Sequence, residues 1–144
     1  MIQGYNRKKG ENMIRLDFRS SQPIYEQIIS QYKFLTLQGY LKSGDAIPSV
    51  RRLAMDLEIT PGTVAKAYRE MEKQGLIETL RGKGTFIADI PERVRDEGVV
   101  KQVKEGLKEQ CMELIYQGFN SSEIIRLIEE ILEELQGGKS YAGS

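Results

Sequence analysis

The chain has no histidine and one cysteine, Cys111, in 144 residues. Without an imidazole there is no His-based catalytic triad, no His general base and no mixed Cys/His zinc site. A metal would have to be held by carboxylates alone. A single cysteine rules out an internal disulfide, which fits a reducing cytoplasm. No apolar run approaches the length of a membrane span, and the N-terminus lacks the apolar core of a signal peptide. Nor is there a carboxylate pair at catalytic spacing, or a phosphate loop ending in Lys-Ser/Thr. The expectation is a cytoplasmic protein that is not an enzyme and has no cofactor, no metal and no membrane partner.

An excess charge of one sign is also missing, since 21 Lys/Arg face 21 Asp/Glu. The balance hides an asymmetry. Residues 1–18 hold 4 cations against 2 anions, residues 19–88 hold 10 against 7, and residues 89–144 hold 7 against 12. A basic head on an acidic tail is one signature of a nucleic-acid partner, although ordinary surface variation gives the same numbers. At this length the chain is one domain or two small ones, and each small lobe would be marginal alone.

Proline is scarce too, and its four residues punctuate the chain. Pro23 and Pro61 suit first helical turns, Pro48 blocks helix before it, and Pro91 marks a boundary. Between them, residues 47–88 carry the densest pattern. Ser49 is a good N-cap for a helix over Val50–Glu58, in which Val50, Leu53, Ala54 and Leu57 form one apolar stripe. Leu57-Glu58-Ile59 leaves little room before Thr60, which can cap a second helix from Pro61 to Gln74, stopped by Gly75. Here Val64, Ala67, Tyr68 and Met71 share one face, while Gly62, Thr63, Lys66, Arg69 and Lys73 lie largely on the other.

Two β-rich runs follow, Leu76–Leu80 and Thr85–Ala88, joined by Arg81-Gly82-Lys83-Gly84. Two short helices with a tight turn and a cation-tipped ribbon outline a winged helix-turn-helix. Such a device reads duplex DNA with the first turns of its second helix, aided by a helix dipole that favours phosphate. Cations at a glycine-rich tip can enter a minor groove or hold a phosphate.

Upstream, residues 1–12 read as a disordered leader, with Met13 an alternative start. Ile14–Phe18 alternates apolar and charged residues. Ile24, Ile28, Tyr32, Leu35 and Leu37 predict an amphipathic helix ending near Gly39, packed behind the helix pair, with Tyr25 partly buried. Lys42–Asp45 is a turn, and Ala46-Ile47 can add a strand beside the wing.

These pieces resemble the DNA-binding domain of the GntR family of bacterial transcription regulators. The resemblance rests on Ile47-Pro48-Ser49 with Arg51, Leu53 and Ala54; on Thr63-Val64 with Ala67 and Tyr68; on Glu72 with Gly75-Leu76-Ile77; and on Gly82-Lys83-Gly84-Thr85-Phe86. It spans residues 22 to 88, including Pro23–Ile28 of the first helix. It implies that Arg51 reads or grips DNA, that Thr63 stands on the recognition helix and that the wing tip enters the minor groove. Where many members carry arginines, this chain has Pro61 and Ala65. A different operator follows, with Arg52, Lys66 and Arg69 as substitutes. The candidate DNA-binding set is Ser49, Arg51, Arg52, Thr60, Gly62, Thr63, Lys66, Arg69, Arg81, Gly82, Lys83 and Gly84.

Beyond Pro91 the pattern predicts a long helix from Glu92 to about Gly118, weakened by Gly98 and Gly106, then a turn. Asn120 and Glu123 form a capping box for a last helix, Ser121–Gln136. Its apolar stripe is too wide for one partner helix, whereas two such helix pairs can make a four-helix bundle. The expected architecture is mainly α with a small β wing: a winged helix-turn-helix over 13–89, a helical dimerisation region over 90–137 and a disordered tail over 138–144. The dimerisation residues are Val103, Leu107, Cys111, Leu114, Ile124, Ile128, Ile131 and Leu135. Folding back of the pair on its own winged domain is the alternative.

A two-helix tail resembles the YtrA branch of the family, which implies a repressor, often of a neighbouring transporter operon. The expectation is a homodimer on an inverted repeat of double-stranded DNA. A winged domain used only for protein contacts is the rival reading, and a small-molecule effector is left open.

Overall fold

The computed structural model describes residues 13–89 and 95–136. The expected leader (1–12), the boundary at Pro91 and the tail (138–144) lie outside the described residues. The chain divides into two units, Met1–Ile90 and Pro91–Ser144.

The first unit is built around its third helix. Helix α1 (Ile24–Leu37) leads to a two-residue strand β1 (Ala46–Ile47), then to helices α2 (Val50–Leu57) and α3 (Pro61–Lys73) and the strands β2 (Ile77–Leu80) and β3 (Gly84–Ile87). The strands form one antiparallel sheet in the order β1-β3-β2, with Ile47 opposite Thr85 and Ile77 opposite Ile87. The stripe Val64, Ala67, Tyr68 and Met71 of α3 is buried, together with Leu53 and Ala54 of α2 and Ile28, Tyr32 and Leu35 of α1. α3 therefore packs against α1, α2 and the wing at once.

A buried polar chain runs through this core. The Tyr68 hydroxyl donates to the Pro48 carbonyl at 2.6 Å, and the Tyr32 hydroxyl lies 3.2 Å from that of Tyr68. Since the Tyr68 proton is committed to Pro48, Tyr32 is the donor in the second bond. The two rings meet edge to face, 6.1 Å apart. One carbonyl ahead of Ser49 is thus fixed to α3 and, through it, to α1.

The segment before α1 is held by two glutamines. The buried side chain of Gln27 accepts from the Asp17 N–H and donates to the Asp17 and Gln22 carbonyls, at 2.9 Å each. One turn further on, Gln31 accepts from the Arg15 N–H and donates to the Arg15 carbonyl. The two amides substitute for a neighbouring strand, and Met13 and Ile14 reach the core just ahead of this arm. The alternation at Ile14–Phe18 is therefore an irregular arm, with Phe18 left outside at 69% exposure.

Two helix ends in the first unit differ from expectation. α2 stops at Leu57, not Glu58, which takes the left-handed conformation (φ 56, ψ 44). The Ile59 and Glu58 N–H groups then close onto the Ala54 and Met55 carbonyls, a C-terminal lock usually given to glycine. Thr60 occupies the cap position of α3, but its hydroxyl bonds the Thr63 hydroxyl at 3.1 Å and no backbone N–H. In the second unit, α4 covers Glu97–Tyr116, with the Asp96 carboxylate capping Gly98 and Val99, and the expected start at Glu92 lies outside the described residues.

Helix α5 covers Ser121–Gln136. Its capping box forms reciprocally: Asn120 Oδ1 accepts from the Glu123 N–H at 2.9 Å, and Glu123 Oε1 from the Asn120 N–H at 3.1 Å. Within α4 and α5, Ile124 alone is buried.

The tyrosine chain gives the first unit an alkaline limit. Burial raises Tyr32 from 10.0 to about 12, and raises Tyr68 as well. A raised acid resists losing its proton only while folded, so its stabilisation is whole below pH 10 and drains away as pH rises through 12. Tyr68→Phe, which strands the Pro48 carbonyl, should cost about 1–3 kcal/mol at neutral pH. Urea titrations across the pH range check both, and a wild-type stability unchanged over that alkaline window would contradict the assignment.

Candidate nucleic-acid interface

The helix pair turns Leu53, Ala54, Val64, Ala67, Tyr68 and Met71 inward and its candidate contacts outward. Ser49, Arg51, Arg52, Thr60, Gly62, Lys66, Arg69, Arg81, Gly82, Lys83 and Gly84 are exposed, and Thr63 is half-buried. α2 begins at an N-cap, with Ser49 Oγ accepting from the Arg52 N–H at 3.1 Å. Arg51 projects from this first turn and has no ion pair among the described residues. Arg52 is committed locally, its Nε 3.1 Å from the Asp56 carboxylate.

On α3 the residues Gly62, Lys66, Arg69 and Lys73 recur at three- and four-residue spacing and are all exposed, opposite the buried stripe. Gly62 has no structural reason to be glycine. It does not adopt positive φ, and a Cβ there would meet nothing within 4 Å. A helical glycine costs about 0.5–1 kcal/mol relative to alanine, and here no packing against the described residues offsets that cost. What the bare backbone does leave is room at the open end of α3 for something outside the chain.

Wing residues Arg81-Gly82-Lys83 make the tip, closed by the Lys83 N–H donating to the Leu80 carbonyl at 2.9 Å. Gly82 takes φ 78, a conformation β-carbons disfavour, which explains glycine at this point of the turn. Neither cation of the tip makes an ion pair with a described residue. A pair of unengaged cations on a rigid hairpin can clamp phosphate or enter a minor groove.

Lys66 is placed differently. Its ammonium sits over the Tyr25 ring, 4.0 Å from the centroid. The Tyr25 hydroxyl donates to Glu26 at 3.2 Å, and that bond together with the Glu26 charge raises its pKa. A crevice of about 450 Å³ between α1 and α3 is lined by Tyr25, Glu26, Lys66 and Glu70. The sequence places Tyr25 and Lys66 on separate helices, and no spacing rule links them. Tertiary packing alone brings them together.

Among the expected dimerisation residues, Val103, Leu107, Ile128 and Ile131 are 40–55% exposed. Cys111, Leu114 and Leu135 are half-buried, and Ile124 is buried. Val99, Val100 and Ile125 extend the exposed apolar surface. No cluster of Cys, Asp and Glu that could hold a metal ion occurs among the described residues, and no described helix is long and apolar enough to cross a membrane.

A helix-turn-helix with a cation-tipped hairpin and an outward row of small and basic residues defines a winged-helix nucleic-acid reader. Residues 24–87 match the family described as "Bacterial regulatory proteins, gntR family". The chain is 46% identical over 127 residues to the HTH-type transcriptional repressor YtrA of Bacillus subtilis, covering 88% of this chain and 98% of that one. It is 44% identical over 108 residues to YhcF, an uncharacterized HTH-type transcriptional regulator of the same organism, covering 67% and 89% respectively.

Among solved structures, a transcriptional antiterminator from Listeria monocytogenes EGD-e superposes with a TM-score of 0.81 at 36% identity, over 92% of this chain and 98% of that one. The chain belongs to the GntR family and is a DNA-binding transcription regulator, not an enzyme.

Gly62→Ala separates the fold from its use. It should stabilise the chain by about 0.5–1 kcal/mol in thermal melts while weakening its binding to duplex DNA. Unchanged or tighter binding would place the α3 terminus away from the duplex.

Proposed function

We propose that two copies of this chain form a cytoplasmic repressor that binds an inverted repeat in double-stranded DNA. The observation that carries this reading is the unengaged state of Arg51, Arg69, Arg81 and Lys83. These exposed cations make no ion pair among the described residues. Each α3 enters a major groove by its first turn, with Gly62 and Thr63 nearest the bases, and Ser49 and Arg51 grip the flanking backbone. Each wing lays Arg81 and Lys83 along the neighbouring minor groove. Two heads on successive turns of B-DNA stand about 34 Å apart.

Residues 90–137 make the dimer in this reading. The exposure of Val103, Leu107, Ile128 and Ile131 supports it, because apolar stripes on two adjoining helices lose favourable burial when left in water. Pairing the two helices with their symmetry mates gives a four-helix bundle, which encloses such stripes from more than one side. The relatedness to a transcriptional repressor along 98% of that relative's length supports the direction of control.

Arg51→Ala and Lys83→Ala should each weaken operator binding and reduce the salt slope by about one unit, through loss of one phosphate contact. Gel shifts with folded variants test this, and unchanged affinity in both would remove these residues from the interface. Ile128→Glu should convert the dimer to monomers in sedimentation experiments while leaving the winged unit folded. A variant that still sediments as a dimer would move the interface elsewhere.

A further inference from the structure

Lys66 belongs to the outward row of α3 by position, yet it is engaged from the side. Its ammonium lies 4.0 Å from the Tyr25 centroid. Glu26, which accepts the Tyr25 hydroxyl proton, and Glu70, one turn further along α3, line the same crevice. An aromatic face thus holds one cation at the edge of a crevice that two carboxylates also line. A free lysine at that position would be a long, mobile point charge on the surface offered to DNA. Such a charge strengthens binding to every sequence alike, because phosphates carry no sequence information.

We propose that Tyr25 is a specificity-determining residue that acts through Lys66, holding this cation against α1 and away from duplex phosphates. It rests on the DNA-binding reading above and adds a division of labour within it. Arg51, Arg81 and Lys83 hold the duplex, while Lys66 is kept from contributing a contact that would serve random sequence as well as operator. The ring, and not the hydroxyl, is the holding element, since the ammonium is placed over the ring face. Breaking an exposed cation–π contact corresponds to a factor of about two to five in an equilibrium.

The test measures binding of the full-length chain to a random-sequence duplex across a range of salt concentrations. Tyr25→Leu keeps apolar bulk beside the core and removes the π face. It should bind random duplex about two- to five-fold tighter, with a salt slope steeper by up to about one unit. Tyr25→Phe keeps the ring and should match the wild type. Lys66→Gln alone should leave the slope unchanged, and Tyr25→Leu combined with Lys66→Gln should return to the wild-type value. The double variant separates release of Lys66 from any general disturbance of α1, and circular dichroism establishes that each variant is folded.

The inference is overturned if Lys66→Gln alone flattens the slope by a full unit, for Lys66 would then already be on phosphate. It is equally overturned if folded Tyr25→Leu binds random duplex as the wild type does. A wild type that binds duplex with a clear salt slope but shows either result leaves the regulator intact and removes only the role of Tyr25. A wild type with no salt-dependent duplex binding removes both.

Discussion

The hydrogen bond from Tyr68 to the Pro48 carbonyl is the constraint on which the rest of the winged unit depends. Tyr68 lies on the buried stripe of α3, so its position is set by packing against α1 and α2. Pro48 stands one residue before the Ser49 cap, so its position sets where α2 begins. A 2.6 Å bond between them ties the axis of one helix to the start of the other, and Tyr32 anchors the same hydroxyl to α1. The angle between α2 and α3 is then held by a buried polar chain as well as by apolar contact. In a low-dielectric interior, such a bond is costly to leave unmade. A reading head needs this rigidity, because side chains displaced by an ångström lose the geometry of base and phosphate contacts.

Most of this unit was legible in the sequence because its signals are local. Ser49, Pro61 and Gly75 mark helix ends by their own chemistry, and the stripe Val64, Ala67, Tyr68 and Met71 declares its buried face by spacing. The strand at Ala46-Ile47 and the capping box at Asn120 and Glu123 were legible for the same reason. What the sequence withheld is tertiary. Glu58 takes a left-handed conformation normally reserved for glycine, and nothing in its neighbours announces it. Gln27 and Gln31 look like solvent-facing amides on an amphipathic helix, yet they act as a backbone surrogate for the arm at residues 15–17. Their spacing, one helical turn apart beside an alternating segment, is the only trace of that role.

The same limit applies to the charges. A count gives the winged region a modest surplus of cations, each of equal weight. The structure divides them into engaged and unengaged groups. Arg52 lies on Asp56 and Lys66 on Tyr25, whereas Arg51, Arg69, Arg81 and Lys83 have no ion pair among the described residues. Affinity for a polyanion depends on cations that can reach phosphate without first giving up a partner. The spatial division of charge therefore says more about the interface than the net charge of a balanced chain. It also explains how a protein with equal numbers of acidic and basic residues can present a basic face.

The acidic helices complete this economy of charge. α4 and α5 carry the anions that cancel the head, and among these anions apolar residues such as Val103, Leu107, Ile128 and Ile131 remain in water. Exposed stripes on an acidic surface face two opposed demands. Like charges repel and keep the surface from associating at random, while apolar area favours contact wherever the carboxylates can stay at the rim. In the dimer proposed above, a symmetric bundle satisfies both, because it buries the stripes at its centre and leaves Glu129, Glu130 and Glu133 in solvent. In that reading each unit is suited to one kind of contact, DNA for the winged unit and a second copy for the helical one.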